Sequence, residues 1–234
     1  MPPHSDHSGR ILAIGDVHGC TNQLDPLWAA IRPTPADTVV FLGDYVDRGP
    51  DSKGVLDRLI EWRKSRNLIC LRGNHELMMQ RAVDDAGERK FWLGFGGLEC
   101  LQSYGSMPGR LGTLDDVPES HWDFIKNALV DYFETVQALF VHATFDPKKP
   151  RVEQSEETLF WMPLTNPIVL DNGKTVVCGH TSQRSGQILD LGTTVCIDTY
   201  AHGGGKLTCL DVTTWHFWQA DLVGHVQEGD LPAR

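Results

Sequence analysis

One plan recurs three times in the first third of this 234-residue chain: a continuous apolar tetrad that stops at a glycine and a polar residue. Ile11-Leu12-Ala13-Ile14 ends at Gly15-Asp16, Val39-Val40-Phe41-Leu42 at Gly43-Asp44, and Leu68-Ile69-Cys70-Leu71 at Arg72-Gly73-Asn74-His75. An unbroken apolar run of this length offers no polar face to water, so each reads as a strand buried on both sides. The tetrads begin about thirty residues apart, and helical spacing fills the gaps. Val55, Leu56, Leu59 and Ile60 follow the capping residues Asp51 and Ser52, while Leu24, Leu27, Trp28 and Ile31 form a weaker stripe over Asn22 to Ile31. Strand, helix and strand in succession describe βαβ units and a largely parallel sheet.

Farther on, a helix is expected from Glu76 towards Val83 and another over His121 to Leu129, whereas Phe91 to Gly97 resists assignment. Strands are expected at Ala138–Val141, Thr175–Cys178 and Val195–Ile197. Lys206–Val212 and Trp215–Ala220 read as antiparallel strands joined by a turn at Thr213-Thr214. Strand–helix repeats followed by a strand-rich half predict an α/β fold of two packed mixed β-sheets flanked by α-helices. A single domain over 10–234 is expected behind a flexible polar tail at 1–9, where His4 and His7 read as solvated side chains. Pro147 to Pro150 reads as a loop.

The formal net charge of −10, with no long basic run, argues against nucleic-acid binding, which depends on clustered Lys and Arg. A small phosphorylated substrate stays compatible with that charge if bound cations supply the local positive potential. The six cysteines form no C-x-x-C pair, and several lie inside apolar runs, so buried reduced thiols are expected. No signal-peptide core or membrane span is visible, and a cytoplasmic location is the expectation. Nothing in the sequence points to an oligomeric state.

Polar residues gather at the C-terminal ends of the proposed strands, where open α/β sheets build their ligand sites. In order they are Gly15-Asp16-Val17-His18-Gly19, Gly43-Asp44-Tyr45-Val46-Asp47-Arg48-Gly49, Gly73-Asn74-His75-Glu76, Val141-His142-Ala143 and Gly179-His180-Thr181. A lone Gly-Asp after a strand is ordinarily a turn. Five such elements in succession, each at a strand end, fit a composite site instead. Carboxylate mixed with imidazole suits first-row cations such as manganese, iron or zinc, and a carboxylate can bridge two ions about 3.5–4 Å apart.

These residues resemble the phosphoprotein phosphatase family, of the bacterial serine/threonine type, within the calcineurin-like metallophosphoesterases. Gly-Asp-x-x-Asp-Arg-Gly with Arg-Gly-Asn-His-Glu carries the likeness, and the motifs extend from Gly15 to Thr181. The resemblance implies one metal held by Asp16, His18 and Asp44, and a second held by Asp44, Asn74, His142 and His180. It also implies His75 as general acid oriented by Asp47, and Arg48 and Arg72 as ligands of phosphate oxygens. Two divalent cations, manganese foremost and iron or zinc as alternatives, would supply a bridging hydroxide that attacks phosphorus directly. The expected reaction is phosphomonoester hydrolysis, foremost of phosphoserine and phosphothreonine in proteins, with small phosphoesters as further substrates.

Several positions depart from that pattern or stay open. Ala143-Thr144 stands where many relatives have Ala-Gly, and Met162-Pro163-Leu164-Thr165 follows Phe160-Trp161 where relatives often place an arginine. Arg151 and Arg184 are candidates to replace that arginine, and neither is assigned. A symmetrical dinucleoside polyphosphate hydrolase is the main alternative, through Arg48-Gly49-Pro50-Asp51-Ser52, although Asp47 favours phosphomonoester cleavage. A non-catalytic metal-binding scaffold ranks below both because His75 and all the proposed ligands are present. Tyr200 and His202, ahead of Gly203-Gly204-Gly205, either border the site or belong to an ordinary turn. Trp92, Trp215 and Trp218 read as packing residues.

Overall fold

The computed structural model describes residues 9–105, 107 and 109–233. The expected tail at 1–9, with His4 and His7, thus lies outside the described residues apart from Gly9. The first sheet is built from β1 (Ile11–Ile14), β2 (Thr38–Phe41), β3 (Asn67–Cys70), β9 (Leu207–Asp211), β10 (His216–Ala220) and β11 (Val226–Asp230). The second holds β4 (Tyr132–Glu134), β5 (Ala138–Val141), β6 (Thr175–Cys178), β7 (Leu189–Asp190) and β8 (Thr194–Cys196). Their orders are β11-β10-β9-β1-β2-β3 and β4-β5-β6-β8-β7. The three tetrads pair in parallel, with Ile11 opposite Thr38 and Thr38 opposite Asn67. Strand β9 runs antiparallel beside β1, and β5, β6 and β8 are parallel to one another.

Alternation along each strand explains why both faces are apolar. Ile11 and Ala13 join Val40, Leu42 and Leu71 in a core that meets Ala138, Phe140, Val177 and Val195 of the second sheet. Leu12 and Ile14 face the other way, into a core with Leu24, Leu27, Val55, Leu56 and Leu59. Those last residues come from helices α1 (Thr21–Ile31) and α2 (Ser52–Trp62). The outer face of the second sheet, Leu139, Val141, Val176 and Cys178, is covered by Phe145, Leu159, Phe160 and Leu164. At about 25 cal/mol per Å² of apolar surface removed from water, these three clusters supply the main driving force for the fold.

The capping reading holds at α2, where the Asp51 carboxylate accepts the Gly54 N–H at 2.9 Å. Helix α3 (Asn74–Asp84) begins two residues before its expected start. The unassigned stretch is a broken helix: α4 (Ala86–Trp92) leads through Phe95 (φ −107°) and Gly96 (φ +113°) into α5 (Leu98–Ser103). Its glycines interrupt the helical period, which is why periodicity alone does not reveal it. The helix expected over His121 to Leu129 opens with α6 (Glu119–Asp123) and ends in a wider turn at 124–128.

Three strands escape the sequence reading. β4 and β7 are short, and β11 (Val-Gln-Glu-Gly-Asp) is a mostly polar edge strand held by its backbone ladder to β10. All six cysteines are buried and free. Among the described residues, no helix is long and apolar enough to cross a membrane.

Candidate metal centre

Loops from the ends of both sheets are tied together. His142 donates Nδ1–H to the Leu42 carbonyl at 2.8 Å, and the His180 N–H meets the Asp16 carboxylate at 3.0 Å. Glycine permits the close approach: a Cβ on Gly73 would collide with the Asp44 carboxylate, and one on Gly179 with that of Asp16. His18, Asp44, Asp47, Arg48, His180 and Tyr200 all adopt positive φ, between 45° and 74°. Elsewhere among the described non-glycine residues, only Arg32 and Trp215 do so. Left-handed backbone is unfavourable for such side chains, so local strain is concentrated at this site.

Two groups of donors form around Asp44. His18, Asp44 and His75 each bring a ligand atom within 4.8 Å of the others, and so do Asp44, His142 and His180. Asp44 is common to both, as a bridging carboxylate would be. The second group matches the expected set, with Asn74 Oδ1 at 3.0 Å from both His142 Nε2 and His180 Nδ1. In the first group His75 stands where Asp16 is expected, and the Asp16 oxygens instead accept the His180 N–H.

The protonation pattern fits cations. His18 Nδ1 faces the Val46 carbonyl at 2.9 Å, His142 Nδ1 that of Leu42, and His180 Nε2 that of Trp161 at 3.1 Å. A carbonyl cannot donate, so each of these nitrogens carries the proton and the other ring nitrogen of a neutral imidazole presents a lone pair to the site. His142 Nε2 then faces the Asn74 oxygen acceptor to acceptor, a repulsive arrangement that a cation between them would relieve. Burial, despite Asp44, lowers His142 to about 4. Burial and the neighbouring His75 lower His18 as well, which keeps both rings neutral and able to ligate.

Carboxylates point the same way. Asp16, Asp44, Asp47, Glu76 and Asp198 are each at most 2% exposed. Burial, with Asp198 and Asp44 close by, pushes the Asp16 carboxyl well above its ordinary range. Burial opposes ionisation of Asp44 too, yet His142, His75 and His18 hold its carboxyl below the usual range. So dense a set of buried acids calls for positive charge beyond the guanidinium of Arg48. Two divalent cations would fit this donor set, one among His18, Asp44 and their neighbours and one among Asp44, Asn74, His142 and His180.

His75 is held apart from the acceptors. Its Nδ1 bonds the Asp47 carboxylate at 2.7 Å, while Nε2 is buried, lacks a hydrogen-bond partner among the described residues, and lies 3.9 Å from Asp44 Oδ2. Burial would lower its pKa, but Asp44 and Asp47 raise it overall. Asp47 also accepts the Trp92 indole N–H at 2.9 Å, so the buried Trp92 packs and orients at once. The Arg48 guanidinium reaches His18 Nε2 at 3.0 Å, at the cluster. Arg72 turns to Asp131, at 3.2 Å. Arg151 is paired at both ends with Glu134, whereas Arg184 lies over the Tyr200 ring.

Two residues at the site, Glu76 and Asp198, carry no role in the sequence reading. Glu76 accepts backbone N–H groups from Asp44, Tyr45, Val46 and Gly73 at 2.7–3.3 Å, fixing the loop that presents Asp44. Burial, then Asp44, lifts its carboxyl to about 7. Asp198 binds the Ser182 hydroxyl at 2.6 Å and the Tyr200 N–H at 3.1 Å, anchoring the segment that follows β8. His202, left open between the border of the site and an ordinary turn, packs edge-on against His18 with ring centroids 4.7 Å apart. Its place beside the glycine run was the one available signal.

The family model described as calcineurin-like phosphoesterase matches residues 9–184. A symmetrical bis(5'-nucleosyl)-tetraphosphatase of Methylococcus capsulatus is 28% identical over 94% of this chain and 99% of its own length. Serine/threonine-protein phosphatase 1 of Salmonella typhimurium is 38% identical over 37% of this chain and 38% of that protein. Several other relatives are matched over less than half of their length, from 42% for a Pseudomonas fluorescens tetraphosphatase down to 19% for a Caenorhabditis elegans protein. Among solved structures, a protein serine/threonine phosphatase from Saccharomyces cerevisiae superposes with a TM-score of 0.61 at 16% identity, over 98% of this chain and 82% of that one. With the matched region spanning most of the sequence and containing the donors grouped around Asp44, the chain belongs to the calcineurin-like phosphoesterase family.

Proposed function

We propose that this protein is a binuclear-metal-dependent phosphatase that hydrolyses phosphomonoesters, foremost phosphoserine and phosphothreonine in proteins, and that it works in the cytoplasm. One observation carries the reading: His75, fastened by Asp47 through Nδ1, leaves Nε2 free beside the carboxylate common to both donor groups. Two bound divalent cations, manganese foremost and iron or zinc as alternatives, supply Lewis-acid charge and activate water.

The chain's own residues do the rest. His75 gives the proton on Nε2 to the departing alkoxide, and Asp47 stabilises the protonated ring. Arg48, at the cluster, presents a guanidinium fork to the phosphate oxygens and balances the charge that builds on them. Arg72 joins it only by leaving Asp131, an exposed partner at 3.2 Å whose loss costs little. Asp16, His18, Asp44, Asn74, His142 and His180 are the proposed ligands.

A second reading has an observation of its own. The relative whose whole length is matched, from Methylococcus capsulatus, is named a symmetrical bis(5'-nucleosyl)-tetraphosphatase. Both readings require manganese-stimulated hydrolysis of an aryl phosphate, abolished by chelation; metal-replete protein without it is not such an enzyme. Values of kcat/KM on a phosphoserine peptide and on diadenosine tetraphosphate then separate them. A preference above about a hundredfold for the dinucleotide overturns the phosphomonoester reading.

A further inference from the structure

A row of ring contacts leads away from the metal centre to a cavity of about 300 Å³. His202 meets His18 at 4.7 Å, Tyr200 meets His202 at 4.9 Å, and the Arg184 guanidinium lies 5.7 Å from the Tyr200 ring centre. These successive contacts bound the distance from the His18 ring to Arg184. Beyond Tyr200 this open cavity is lined by Arg184, Gly186, Gly205, Lys206, Asp221 and the residues beside them. Tyr200 is held at φ +65°, a conformation that glycine adopts freely and a bulky residue does not. That strained residue places an aromatic ring between His202 and Arg184.

The cavity's charge is unspent. Neither the Arg184 nor the Lys206 side chain makes a hydrogen bond or ion pair with another described residue. The acid in the lining, Asp221, already accepts the N–H groups of Val223 and His225 at 3.0 and 2.9 Å. Two free cations against one engaged carboxylate, in a chain of net charge −10, make this a local attractor for anions. Its volume lies at the lower end of small-molecule sites, and a guanidinium beside an ammonium matches phosphate oxygens better than a single carboxylate.

We propose that this cavity is a second subsite, which takes the phosphates of a polyphosphate-bearing substrate, such as a dinucleoside polyphosphate, that lie away from the scissile bond. The proposal rests on the phosphoesterase reading of the metal centre and widens its substrate class.

The test compares the parent protein with the double variant Arg184→Gln, Lys206→Gln. Because neither side chain holds another residue by a hydrogen bond or ion pair, the variant keeps its fold. Inorganic tripolyphosphate is titrated calorimetrically into chelator-treated protein, so the reading does not depend on activity. Saturable one-to-one binding by the parent, weakened at least about tenfold in the variant, supports the subsite. No binding by the parent, or equal binding by both, overturns it.

With manganese present, kcat/KM for diadenosine tetraphosphate should fall about 10- to 100-fold in the variant, mainly through KM. Aryl phosphate and a singly phosphorylated peptide should change by less than about threefold. Equal losses on all three substrates, a loss confined to the peptide, or a parent that cleaves aryl phosphate but not the dinucleotide each overturn the proposal. A parent inactive on all three instead sinks the phosphatase reading, and the tripolyphosphate titration still decides the subsite.

Discussion

Phe140 and His75 are both 0% exposed, and their surroundings obey opposite rules. Phe140 lies between the two sheets, on a regular strand, among Val40, Leu71, Val177 and Val195. Every group there is apolar or paired in a backbone ladder, so burial and stability coincide. His75 sits among buried carboxylates and imidazoles, beside left-handed residues, with one ring nitrogen unpartnered. Stability alone would not select that arrangement. The contrast shows that the sheets supply the stability which lets the loops at their ends hold charge, strain and facing acceptors.

Substitutions can break this division of labour. The largest effect is expected from His75→Asn, which should lower kcat by about 10²–10⁴, the worth of a positioned acid, with two metals still bound. Metal analysis of the purified variant checks the second half. Loss of metal would make His75 a ligand, in line with its place in the donor group of His18 and Asp44.

Phe140→Ala should do the reverse, destabilising the fold by about 3–5 kcal/mol in denaturant titrations while metal stoichiometry in the remaining folded protein is unchanged. A matching loss of metal would mean that the core and the loops do not behave as separable parts.

Trp92→Phe falls between them and is smallest. It removes the indole N–H from Asp47 but keeps an aromatic ring in the pocket, at a cost of about 1–3 kcal/mol. It should lower kcat less than His75→Asn does. An effect on stability with none on kcat would confine Trp92 to packing.

The three tetrads became β1, β2 and β3 within a residue of their expected bounds, because an unbroken apolar run admits few other solutions. The broken helix at 86–103 and the polar edge strand β11 were illegible for the opposite reason. Glycines erase periodicity in the first, and pairing with β10 rather than side-chain pattern makes the second. At the site, Asp44, Asn74, His142 and His180 come together as expected. Asp16 lies at the same site, where its carboxylate accepts the His180 N–H.

Sequence by itself determined which residues can ligate, since type and place at a strand end are written locally. Apolar runs likewise located the main strands, whereas their order in the two sheets did not follow from them. Only the tertiary structure decided how the groups face one another. Asp16 and His180 meet across 164 residues, and Glu76 gathers four backbone N–H groups from two loops. Tyr200 and His202 became a wall beside His18 because Asp198 anchors a strained turn there. Such relations depend on backbone direction and on packing between distant segments, which residue pattern along one segment does not encode.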